Sequence, residues 1–131
     1  MLSLTEIFVI LICHWVFDFI MQSHYQATNK SKNNKALFEH VLTYSLAWFL
    51  VGILYLNINI FLPLDQYKEL AIDVIVFTSI TFICHFITDY FTSRLNTYLW
   101  NKKDVHNFFV SIGGDQLLHY FQLFLTYYLL K

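Results

Sequence analysis

Three glycines, one proline and two cysteines in 131 residues leave little material for sharp turns or a disulfide framework, which excludes collagen-like and disulfide-stapled classes. Charge is equally scarce: Asp, Glu, Lys and Arg make up 13% of the chain, against about 25% in ordinary soluble domains. The formal net charge is −1, and no basic or acidic run offers an extended footprint for nucleic acid. Nucleophile elbow, Walker loop and dinucleotide glycine pattern are all missing, which argues against covalent serine or cysteine catalysis. What the chain has is apolar bulk, with 57% hydrophobic and 20% aromatic residues. A globule of this size could not hide so much apolar surface from water, and such a composition is the opposite of a disordered one. The expected class is an all-α membrane protein, one transmembrane domain over residues 1–131.

Four stretches approach the roughly 20 apolar residues needed to cross about 30 Å of hydrocarbon: residues 2–21, 37–60, 70–91 and 108–130. The first lacks the basic start and small-residue cleavage site of a signal peptide, so it is expected to be retained. In the fourth, Gly113, Gly114 and Asp115 interrupt the apolar run. Asp115 can therefore sit within a long helix or cap a shorter one that follows an interfacial segment. Lys30, Lys32 and Lys35 lie between spans one and two, and Arg94, Lys102 and Lys103 between spans three and four. Basic residues are held on the cytoplasmic side, so both termini are expected outside. Pro63, preceded by Asn57 and Asn59, fits a short outer turn.

A doubled motif stands out against this background. Ile12-Cys13-His14 followed by Asp18-Phe19 is repeated as Ile83-Cys84-His85 followed by Asp89-Tyr90, 71 residues later. The two copies would lie on helices running the same way, as in a parallel two-hairpin repeat. Residues four apart share a helix face, so each copy presents an imidazole and a carboxylate together. Asp115 and His119 offer the same pair in reverse order on an opposed helix, and His40 lies near the start of the second span. At 1.5 Å per residue, these groups fall roughly 5–17 Å inside the cytoplasmic ends of four different helices.

An Asp in a membrane helix costs about 2.5–3.5 kcal/mol on insertion scales, so three together approach 10 if additive. One His–Asp pair reads as a hydrogen bond between or within helices. Three pairs and His40 at one depth read better as ligands of a cation, the only partner that uses all seven groups. The expected metal ligands are His14, Asp18, His40, His85, Asp89, Asp115 and His119, with Gln22 and Gln116 as hydrogen-bonding partners of the carboxylates. Mixed nitrogen and oxygen donors suit one or two divalent transition ions, zinc first, with manganese, iron or nickel as alternatives. His24 and His106 read as solvated loop residues, and Cys13 and Cys84 as reduced, packed thiols.

His14-x-x-x-Asp18-Phe19-x-x-Gln22, Ala27-Thr28-Asn29-Lys30, His40, His85-x-x-x-Asp89 and Asp115-Gln116-x-x-His119 together resemble the bacterial and phage membrane proteins called domain of unknown function 3307. The resemblance covers nearly the whole chain and implies a bacterial cytoplasmic membrane, but little chemistry. A more distant likeness, through His-x-x-x-Asp in a membrane helix, is to membrane-bound metal-dependent hydrolases. The expectation is a metal-dependent hydrolase that acts from the cytoplasmic side on a membrane-associated lipid or phosphate ester. One of Asp18, Asp89 and Asp115 would serve as general base. The lipid bilayer is the expected partner, and a homo-oligomer is compatible with the sequence. Two other functions are open: metal-ion or proton transport, and a non-enzymatic phage or host interaction protein with a structural metal.

Overall fold

Helix starts are written locally into this chain. Ser3 with Glu6, and Ser23 with Gln26, form reciprocal capping boxes, in which each side chain satisfies a backbone N–H that the first turn leaves unpaired. Asn33 and Asp104 cap two further helices through side-chain oxygens, and Pro63 precedes the remaining one. In the computed structural model, which describes residues 2–131, these signals open five helices: α1 (Leu4–Trp15), α2 (His24–Asn29), α3 (Asn34–Ile58), α4 (Leu64–Asn101) and α5 (Val105–Leu130). A π-helical turn, Val16–Ile20, continues α1 without a break. No strand occurs among the described residues.

The helices differ from the expected spans in instructive places. α4 has 38 residues and continues ten past the apolar run, about 57 Å in all. Along its polar extension, which packs against α5, Ser93 and Thr97 turn their hydroxyls onto the carbonyls of Asp89 and Ser93 at 2.6 and 3.0 Å. α5 is continuous through Gly113, Gly114 and Asp115. Asp104 is its cap, accepting from the Asn107 N–H at 3.3 Å, so the shorter helix starting at Asp115 does not form. α2 had no counterpart among the expected elements.

α4 is the central element, packing against both α3 and α5, while α1 lies on α5 and its π-turn on α3. Ile10, Tyr44, Trp48 and Leu123 form a buried apolar cluster, flanked by Phe17, Phe77 and Phe124. At the end distant from α2, the Glu6 carboxylate accepts from Tyr127 Oη at 2.7 Å and pairs with Lys131. α3 and α4 are long and apolar enough to cross a membrane. Against the expected four spans, these two qualify by length and apolarity: the α-helical part of α1 has 12 residues, and α5 carries Asp115, Gln116, His119 and Gln122.

α3 and α4 approach closely at Gly52, where an added Cβ would lie 2.4 Å from Val74 Cγ1. Gly113 and Gly114 have open space around theirs. Gly52→Ala is therefore expected to lower the melting temperature in detergent, since overpacking by about 1–3 kcal/mol outweighs the gain of up to about 1 kcal/mol in helix propensity. Gly114→Ala should raise it through propensity alone. A Gly52→Ala protein as stable as the parent would mean that Val74 yields freely.

Candidate metal centre

Each polar side chain of the cluster is delivered by a different local device. His14 sits in the last turn of α1, and Asp18 follows in the π-turn, which closes with the Met21 N–H on the Val16 carbonyl at 2.9 Å. The wider turn changes the phase of the helix and aims Asp18 at α3 and α4. His40 comes from the second turn of α3, His85 and Asp89 from one face of α4, and Asp115 and His119 from one face of α5. His14, His40, His85 and His119 are at most 1% exposed, and Asp18 and Asp89 at most 3%.

Two groups of donor atoms result, and they share one residue. Asp18, His40, His85 and Asp89 form the first; Asp89, Asp115 and His119 form the second. In the first, His40 Nε2 lies 3.0 Å from Asp18 Oδ1, 3.3 Å from Asp89 Oδ2 and 3.2 Å from His85 Nε2. His85 Nε2 lies 3.5 Å from Asp18 Oδ1 and 3.7 Å from Asp89 Oδ2. Donors held about 2.0–2.1 Å from a tetrahedral ion stand about 3.3 Å from one another, so all five separations are close to the edges of such a tetrahedron. Internal pairing accounts for part of the group, since the Lys30 ammonium donates to Asp89 Oδ2 at 2.8 Å, but not for all of it. One imidazole N–H cannot serve two carboxylates and a second imidazole, and Asp18 Oδ1 is buried without a hydrogen-bond partner. These buried His and Asp groups could hold a metal ion.

In the second group, His119 Nε2 lies 3.2 Å from Asp89 Oδ1 and 3.4 Å from Asp115 Oδ1. Asp89 thus turns one oxygen toward each group. Asp115 is the most exposed member, its side chain 13% accessible. It lines a cleft of about 740 Å³ together with Asp89, Thr92 and Lys30. The Thr92 hydroxyl stands 2.6 Å from Asp115 Oδ1.

His14 is placed differently from its repeat partner His85. The Tyr44 hydroxyl donates to its Nδ1 at 2.7 Å, and its Nε2 donates to Gln116 Oε1 at 2.9 Å. Its distance to Asp18 Oδ2 is 3.8 Å, so His14 stands beside the two donor groups with both nitrogens occupied. Gln116 donates in turn to Asp115 Oδ2 at 3.1 Å and to Asp18 Oδ2 at 3.5 Å, linking His14 to two carboxylates. Gln22 has no comparable role: its Oε1 is buried without a partner. The Nδ1 atoms of His40 and His85 are unpaired as well. Packing holds the His85 ring, which is stacked between Tyr44 at 4.0 Å and His119 at 4.2 Å.

Two residues of the cluster lie outside the His–Asp spacing. Tyr44 is fully buried, and as one of nine tyrosines in an aromatic-rich chain it resembles any other core aromatic. Lys30 belongs to the basic segment that suggested orientation, yet its Nζ donates to Asp89 Oδ2 at 2.8 Å and lies 3.2 Å from His40 Nε2. Burial disfavours its charge, but the carboxylates of Asp89 and Asp18 outweigh that and hold the ammonium pKa above the ordinary lysine value. The Ser23 to Gln26 capping box was the available signal, because it predicts a short helix that carries Lys30 back toward the bundle. His24 and His106 are exposed, and Cys13 and Cys84 are free thiols.

Residues 7–131 match the family described as "Protein of unknown function (DUF3307)". Comparison with curated proteins and with solved structures gives no match.

Proposed function

The chain belongs to the DUF3307 family, a family of unknown function, and from that premise we propose that it is a membrane-embedded hydrolase built on two divalent transition ions, zinc first. The observation that carries this reading is the sharing of Asp89 between two donor groups. A carboxylate that bridges two ions is suited to the roughly 3.5–4 Å separation of two-metal hydrolytic centres. The first position has four protein donors, as closed structural sites do; the second has three and borders the cleft, as catalytic sites do. When bound, the ions supply Lewis acidity and lower the pKa of a ligated water toward about 7.

The protein's own groups divide the remaining work. Asp115, at the cleft wall, turns Oδ1 toward His119 and the second position, which leaves Oδ2 to accept the proton of the attacking water as general base. Gln116 and Thr92 hold its two oxygens in place. His14, with both nitrogens engaged, orients Gln116 rather than binding an ion. The apolar residues that α1 and α5 turn outward, among them Phe8, Ile12 and Trp15, and Leu117, Phe121 and Leu125, support a four-span arrangement in which these two helices also face lipid. By the distribution of basic residues the cleft opens to the cytoplasm, toward a membrane-associated ester. Transport fits less well, because Ile10, Trp48 and Leu123 pack between the cluster and the Glu6 end.

Elemental analysis of protein purified in detergent and equilibrated with zinc or manganese should find about two ions per chain. Hydrolysis of phosphate esters should stop on chelation and return when the ion is restored. Ion-free protein after equilibration with zinc, manganese, iron and nickel would overturn the reading.

A further inference from the structure

Lys30 occupies a position that a bound ion would contest. Its ammonium is within 2.8 Å of Asp89 Oδ2 and 3.2 Å of His40 Nε2, two of the four donors of the first group. A divalent ion among those donors would stand at close range to a like charge, and the repulsion is weakly screened away from bulk water. Binding of the ion therefore turns the lysine away from Asp89. Its side chain already borders the cleft that Asp89 and Asp115 floor, and the exposed Lys32 stands on the same rim. The displaced ammonium moves into that cleft.

The charges then specify the ligand. With the histidines neutral as ligands, two divalent ions and Lys30 exceed the carboxylates of Asp18, Asp89 and Asp115 by two positive charges. A cleft at the membrane boundary does not hold such an excess without a partner. Its lining adds the Ser31 hydroxyl and apolar surface from Trp100, Phe108 and Ile112. We propose, building on the two-ion reading above, that this cleft is a binding subsite for a phosphoryl dianion and that Lys30, released by the metal, is the residue that holds it. The phosphoryl group has two sources, a phosphomonoester headgroup of a lipid or a water-soluble phosphate ester, and the apolar wall distinguishes them.

The test uses the full chain in detergent, loaded with zinc, its ion content measured on the same sample. Inorganic phosphate is titrated calorimetrically, followed by glycerol 3-phosphate and dioctanoyl phosphatidate. Zinc-loaded protein should bind phosphate, and Lys30→Met should weaken that binding at least tenfold while binding zinc more tightly than the parent, because the competing ammonium is gone. Lys32→Glu, at an exposed position where folding is not at stake, should weaken phosphate severalfold at low salt. Tighter binding of the phosphatidate than of glycerol 3-phosphate supports the subsite with a lipid source; equal binding supports it with a soluble one. Full zinc content with no affinity for phosphate, or unchanged phosphate affinity in both lysine variants, overturns the subsite and leaves the metal centre standing. Absence of zinc overturns both.

Discussion

Asp89→Asn is expected to remove both ions, reducing the content from about two per chain to well below one, and to abolish turnover. Asp89 is the only residue that contributes to both donor groups, with Oδ2 facing His40 and His85 and Oδ1 facing His119. An asparagine keeps the volume but loses the charge and one oxygen donor, so it cannot bridge. Loss of an outer hydrogen-bonding partner costs metal sites about 10–100-fold in affinity, and loss of a shared ligand should cost each ion more. Because Asp89 is also paired with Lys30, the substitution should lower stability as well, and a melting curve in detergent separates loss of metal from loss of fold. An Asn variant that retains two ions would show that Asp89 does not bridge.

Asp115→Asn should give a different outcome and thereby divide the centre into its two halves. The first donor group does not include Asp115, so about one ion per chain should remain. Turnover should fall by about 10²–10⁴, the contribution of a positioned general base, together with what the lost ion supplied. Because Asp115 is partly exposed at the cleft wall, the melting temperature should change little. Elemental analysis and steady-state kinetics on one preparation read both quantities. Unchanged turnover with one ion would move the chemistry to the four-donor position.

The helical class and the location of the long helices were legible because they depend on short-range pattern: apolar runs, capping side chains and the turn at Pro63. The boundaries were legible only where a cap coincides with the end of an apolar run. The end of α4 runs on through polar sequence where it packs against α5, and at the start of α5 the cap lies nine residues before the polar interruption that begins at Gly113. The His-x-x-x-Asp spacing was visible for the same local reason. What the spacing does not contain is the partner across the interface. His14 and His85 occupy equivalent places in the repeat, but α3 sets the Tyr44 hydroxyl against one and its ring against the other. Lys30 was visible in the Ala27-Thr28-Asn29-Lys30 stretch but not in its role, since a lysine beside a membrane span carries a topological signal that masks its contact with Asp89.

The π-turn at Val16–Ile20 makes the first helix two independently aimed pieces. Upstream of it, Ile10 and His14 are oriented by the apolar cluster and by Tyr44; within it, Asp18 answers to His40 and His85. Removing one residue from the turn would restore ordinary winding, rotate the carboxylate by about 100° relative to the segment before it and point it at the surrounding medium. A wide turn is thus a frameshift buffer in reverse: the surplus residue that looks dispensable is the one that keeps the two halves of the helix in register with different neighbours.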